Sequence, residues 1–124
     1  MRPRTEDRRS AEQRGRRAET LAAWWLRFQG WRILGRRLRV AAGEVDIVAR
    51  RGSCVAFVEV KWRARAEDLD LAIDARRLAR TARAAEHLAP RFAKPDDTVR
   101  VDVILLSPKK WPRRIANAWH KGVA

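Results

Sequence analysis

The chain has 124 residues, 46% of them hydrophobic with six Trp and three Phe, enough for one packed core and too few for a second domain. Its formal net charge is +14, from 29 basic residues (five Lys and 24 Arg) against 15 acidic ones, which calls for an anionic partner, most simply nucleic acid. One Cys excludes an internal disulfide framework, and Cys54 with only His87 and His120 gives no zinc site. No apolar run approaches the ~20 residues of a membrane span and the N-terminus lacks a signal-peptide core, so the expectation is a soluble, cytoplasmic protein without a membrane partner.

Residues 1–13 are polar and Arg-rich with no apolar periodicity, and read as a flexible basic tail ahead of a single domain at 14–120 and a tail at 121–124. A first helix is predicted from Arg14 or Arg16 to Phe28, stopped by Gln29-Gly30, with Leu21, Trp24, Trp25 and Phe28 as its apolar stripe. Glu19 falls in line with Ala22, Ala23 and Leu26 at the edge of that arc, and by its spacing reads as a residue complementing the helix dipole. Trp31 to Val40 reads as a first strand, bent around Gly35.

Two β-branched runs, from Gly43 and up to Lys61, flank Gly52-Ser53, a favoured two-residue turn with Gly where positive φ is needed. The resulting hairpin register sets Asp46 opposite Glu59 and Glu44 opposite Lys61 on one face, with Val45, Ile47, Val58 and Val60 on the other. Two opposed carboxylates, ~5 Å apart at Cβ, repel each other. A neighbouring ammonium, a shared proton or a hard cation such as Mg²⁺ would offset that cost. Solvated cross-strand ion pairs are the competing reading, and they contribute little.

Beyond Lys61, Arg63 and Arg65 leave the sheet beside the acidic cluster, as phosphate clamps or as a solvated strand end. A second helix follows from Leu71, Ala75, Leu78, Ala82, Ala85 and Ala89, with Asp68 or Asp70 as N-cap and Pro90 as stop. Another face of it carries Arg76, Arg80, Arg83 and His87, a basic ridge suited to a phosphate backbone or simply solvated. Lys94 to Asp97 is a turn, and Thr98 to Leu106 a strand buried on both sides in which Asp102 makes a structural contact. Ser107-Pro108-Lys109-Lys110 is a basic loop, and Ile115 to Trp119 a short edge strand. The order αβββαβ(β) predicts an α/β (α+β) domain, a mixed β-sheet flanked by a helix on each face.

Gly43-Glu44-Val45-Asp46-Ile47-Val48 followed by Phe57-Val58-Glu59-Val60-Lys61 resembles the paired signature of the YraN-like family. These are small bacterial proteins of uncharacterised role in the restriction-endonuclease-like superfamily, to which archaeal Holliday-junction resolvases also belong. Gly15, Glu19, Val101-Asp102-Val103 and Asn117-Ala118-Trp119 extend the resemblance from about Arg14 to Trp119. It implies a restriction-endonuclease-like sheet with Asp46 and Glu59 as metal-binding carboxylates, Lys61 as catalytic lysine and Glu19 completing the metal site. Glu44, opposite Lys61, would orient the ammonium or bind metal through water. The implied activity is Mg²⁺- or Mn²⁺-dependent phosphodiester hydrolysis of DNA or another nucleic acid, in a family that allows a homodimer. Trp62 stands where a small or hydroxyl residue is usual, and Arg77-Leu78 replaces a frequent Gln-containing pair. The alternative is a non-catalytic nucleic-acid-binding protein of the same fold that uses Arg76, Arg80 and Arg83.

Overall fold

Gly30 leaves the first helix in a left-handed conformation, φ 89°, and the Trp31 N–H donates back to the Leu26 carbonyl at 3.0 Å, closing that helix before the sheet begins. The computed structural model describes residues 5–65 and 75–118. Its elements are α1 (Thr5–Phe28), β1 (Arg32–Val40), β2 (Gly43–Arg51), β3 (Cys54–Trp62), α2 (Ala75–Phe92), β4 (Thr98–Leu106) and β5 (Arg113–Ile115). The helix begins at Thr5 rather than Arg14, because the Arg-, Ala-, Glu- and Gln-rich stretch expected as a tail has good helix propensity and extends a helix already anchored further along.

The sheet has the order β1-β2-β3-β4-β5. Its β1/β2, β2/β3 and β4/β5 pairs are antiparallel, while β3 and β4 run parallel, joined through the crossover that contains α2. The observed order αβββαββ is the mixed, helix-flanked sheet expected. The β2/β3 turn has Gly52 at φ 60° with no positive φ at Ser53, as a type II′ hairpin requires, and the ladder from Arg51↔Cys54 to Ile47↔Val58 keeps the expected register. Strand β4 matches its expected limits, with Val101 to Leu106 buried.

Each helix covers one face. Against α2 lie Val48, Val55, Phe57, Val101, Val103 and Leu105, with Leu78, Ala82, Ala85 and Leu88 of the helix; Phe57 meets Phe92 edge to face at 6.4 Å. Against α1 lie Ile47, Ala49, Ala56, Val58, Ile104 and Leu106, with Ala18, Ala22, Ala23 and Leu26. The buried face of α1 is therefore the alanine face; of the stripe expected in the core only Trp25 packs against it, at its edge, while Leu21, Trp24 and Phe28 are exposed. Small side chains let the helix approach the sheet closely along its central line. Glu19, aligned with those alanines, is carried inward with them.

Two further boundaries differ from expectation. Pro90 lies inside the last turn of α2, where its missing N–H removes one bond while the next turn still closes, Ala93 N–H to the Ala89 carbonyl at 2.8 Å. The last strand is Arg113–Ile115, with Val103↔Ile115 in register, not Ile115 to Trp119. The proposed caps Asp68 and Asp70, Leu71, Trp119 and His120 lie outside the described residues. Among the described residues, no helix is long and apolar enough to cross a membrane. Asp102 makes the structural contact expected of it, accepting from Arg100 at 2.8 Å, Arg114 at 3.3 Å and the Asn117 N–H at 2.8 Å.

Candidate active site

The site forms where two strands change faces together. On β2, Val45 packs on the α2 side while Ile47 packs on the α1 side, so the alternation slips at Asp46. On β1, Leu38 packs on the α2 side, while Arg36 bonds the Thr20 hydroxyl of α1. The β1/β2 rungs Arg36↔Ile47 and Leu38↔Val45 flank this point, but Arg37 and Asp46 are paired with each other in neither strand's register. Arg37 sits at φ 52°, a left-handed conformation that costs a non-glycine residue about 1 kcal/mol or more. The β2/β3 ladder likewise stops at Ile47↔Val58, short of the expected Asp46–Glu59 rung. Asp46 Oδ2 instead accepts the Val60 N–H at 2.7 Å. Val45 thus does not share a face with Ile47, Val58 and Val60, a correction that follows from this slip.

Asp46 consequently lies between two cavities. One, of about 140 Å³, is lined by Glu44, Asp46, Glu59, Arg77, Arg80 and Thr81. The other, of about 260 Å³, is bounded by Gly15, Arg16, Glu19, Arg37, Arg39, Glu44 and Asp46. The Asp46 carboxyl is pushed up to about 6, first by burial and then by the negative charges of Glu19, Glu59 and Glu44, against the opposing effect of the Val60 N–H. The structure thus brings together Asp46, Glu59, Glu19 and Glu44.

Lys61, buried at 4% exposure, holds Glu59 Oε1 at 3.0 Å, and Arg77 approaches the same oxygen at 3.7 Å. Glu44 is not the partner of Lys61: the ladder ends before that rung, and Glu44 pairs with Arg39 on its other side at 3.2 Å. Glu19 Oε2 receives Arg37 Nε at 2.8 Å, while Glu19 Oε1 is buried with no hydrogen-bond partner among the described residues. Gly43 anchors the arrangement, because a Cβ there would lie 2.4 Å from the Arg80 carbonyl oxygen; only glycine lets β2 start against the backbone of α2.

Of the expected phosphate contacts, Arg80 lines the acidic cavity and Arg63 lines a third cavity with Lys61, Trp62 and Arg77. Arg76 and Arg83 are exposed on α2, and Arg65 is exposed beyond the strand end, none of them lining these cavities. Two site residues were not foreseen. Arg77 was noticed only as a departure from the usual Gln-containing pair, although it stands three residues before Arg80 on the same helical face. Arg37 carries no residue-type signal for its positive φ.

The donor set fits a hard, oxygen-preferring cation: carboxylates only, one with a raised pKa, and a buried Glu19 oxygen without a partner. Among the described residues no three His, Cys, Asp or Glu side chains converge on one point to hold a metal. Mg²⁺ asks for one or two carboxylates, with water and phosphate supplying its other ligands.

Residues 18–106 match the model of the uncharacterised protein family UPF0102. A UPF0102 protein of Sphingopyxis alaskensis is 66% identical over 112 residues, covering 90% of this chain and 97% of the relative. One from Erythrobacter litoralis is 54% identical over 112 residues, with 90% and 97% covered, and one from Rhizorhabdus wittichii is 51% identical over 113 residues, with 91% and 96% covered. The five-stranded mixed sheet between two helices agrees with the fold implied by the resemblance to YraN-like proteins. With its hairpin signature, its family match and relatives similar along nine-tenths of its length, the chain belongs to the uncharacterised protein family UPF0102.

Proposed function

We propose that the protein is a Mg²⁺- or Mn²⁺-dependent nuclease that hydrolyses phosphodiester bonds in DNA or another nucleic acid. The observation that carries this reading is the position of Asp46, with Glu44, at the junction of two cavities, with Glu19 on one side and Glu59, Arg77 and Arg80 on the other. Asp46 and Glu59 would hold the cation, with water and the phosphate completing its oxygen set. When bound, a divalent cation neutralises phosphate charge and lowers the pKa of a coordinated water.

The other roles belong to the chain's own cations. Lys61, paired with Glu59, stabilises the negative charge that develops on the phosphate as water attacks. Arg77 and Arg80 line the same cavity as Asp46 and Glu59 and orient the phosphate by paired N–H donors. Glu44, held by Arg39, adds negative charge at the mouth without touching Lys61.

A binding module remains the second reading, supported by the lack of three converging ligands among the described residues and by the exposed Arg76, Arg80 and Arg83 on one helix. Incubating purified protein with labelled single-stranded, duplex and four-way-junction DNA, with and without Mn²⁺, separates the two. Metal-dependent cutting that disappears in Asp46→Asn supports the nuclease. Salt-sensitive binding with no cutting, indifferent to metal and to Asp46→Asn, supports the module.

A further inference from the structure

We propose that the groove between α1 and the loop at 107–112 seats unpaired bases, so that the nucleic acid this protein takes has a single-stranded stretch beside the phosphodiester at Asp46. The inference rests on the nucleic-acid reading above and gives its substrate class.

Leu21, Trp24 and Phe28 of the α1 stripe face outward, as does Trp111. Leu21 is 58% exposed, Trp24 56%, Phe28 87% and Trp111 89%. Trp24, Phe28, Trp62 and Trp111 line a groove of about 480 Å³ that also takes in Lys109 and Lys110, and among the described residues no acidic one lines it. Arg27 lies over the Trp24 ring at 5.1 Å. Flat rings beside cations suit a polyanion with π-faces, since each base stacks on a ring while its phosphate meets an ammonium or guanidinium. A second copy of this chain, itself at +14, would bring Lys109, Lys110 and Arg27 against like charge.

Two further features point to a ligand. Ser107 lines the groove at 8% exposure, and its Oγ is buried with no hydrogen-bond partner among the described residues, an unpartnered hydroxyl at the groove wall. Lys109 holds φ 62°, a conformation that L side chains rarely adopt, at the turn that leaves Lys109, Lys110 and Trp111 exposed.

The groove is also joined to the acidic site. Trp62 lines both the groove and the cavity of Lys61, Arg63 and Arg77, and Arg77 in turn lines the cavity of Asp46 and Glu59. A strand following these shared walls carries its bases over the indoles and its backbone past Arg63 and Arg77 to the carboxylates. Trp62, the departure from the small residue usual at this position, is the link between the two.

The test uses Asp46→Asn protein without metal, so that binding is read apart from cutting. Fluorescence anisotropy is measured with a labelled oligothymidylate of about 15 nucleotides, a duplex of the same length and an abasic strand. Trp24→Ala and Trp111→Ala are expected to keep the thermal midpoint, weaken the oligothymidylate roughly tenfold each and leave duplex and abasic strand within about twofold. Equal weakening of all three probes, or no weakening of any, overturns the proposal. So does a dimer in sedimentation that Trp111→Ala dissolves, because the groove then belongs to a second copy. Wild-type cleavage is scored separately: a selective loss of single-strand binding upholds the groove even if no cutting is found, and cutting without that loss overturns the groove alone.

Discussion

The Val60 N–H donates to the side chain of Asp46 at 2.7 Å, in place of the backbone acceptor that a continued β2/β3 ladder would supply. One carboxylate thus does a structural task while it lies open to two cavities. Its pKa of about 6, against an ordinary 3.8, means that the folded chain holds this proton more tightly than the unfolded chain. The contribution of this group is greatest below about pH 4, falls as pH rises from about 4 to 6, and is lower by a constant amount above that. Asp46→Asn keeps an oxygen for Val60 and never ionises, so in EDTA it is expected to be more stable than wild type by about 1–3 kcal/mol at pH 7.5 and no more stable below pH 4. Urea melts at the two pH values check this, and a destabilised variant at pH 7.5 would contradict it.

Asp97 behaves in the opposite sense. The Arg50 guanidinium, bonded to Asp97 Oδ2 at 2.5 Å, and the Lys94 N–H hold its carboxyl down to about 2. Its contribution is therefore complete above the ordinary carboxylate range near pH 4 and is lost as pH falls through about 2. Asp97→Asn should be less stable than wild type at pH 5, with the difference shrinking by pH 2. Thermal melts at both pH values decide it; a difference that does not change between them removes Asp97 as its source.

Gly43→Ala places a methyl group 2.4 Å from the Arg80 carbonyl oxygen, which is backbone and cannot step aside as a flexible side chain would. A loss of about 1–3 kcal/mol is expected, with cleavage reduced as α2 and its arginines shift. Denaturant melts check the first part, and an unchanged midpoint would mean that β2 and α2 are not held together here.

Lys61 and Glu59, 3.0 Å apart and both buried, should be strongly coupled. Lys61→Met leaves Glu59 with the more distant Arg77, and Glu59→Gln leaves a buried ammonium. Each alone should destabilise the fold, and the double variant should cost less than their sum by about 1–3 kcal/mol in a metal-free cycle. Additive losses would mean that the pair is screened by water in solution.

Much of this was legible in the residues. Gly52-Ser53 fixed the hairpin register because a two-residue turn permits only one, and the apolar run of Thr98 to Leu106 marked a strand buried on both faces. The buried face of α1 was not legible, because two arcs competed and the larger side chains looked more like a core. The alanines took the central line of the contact, and of the larger arc only Trp25 reaches the core. Within the site the acidic members stood out as rare charges in a basic chain, and Arg37 and Arg77 did not, being two among 24 arginines. The slip at Asp46 was hidden because Val45 is apolar and fits the core on either face.

Since Glu44 and Asp46 border the cavity beneath α1 and the one beneath α2 alike, the sheet here has a window. Charge arriving on one side therefore acts on a carboxylate that the other side shares. An anion or cation entering beside Arg37 and Glu19 changes the field at Asp46, and with it the charge that a ligand beside Arg77 and Arg80 meets.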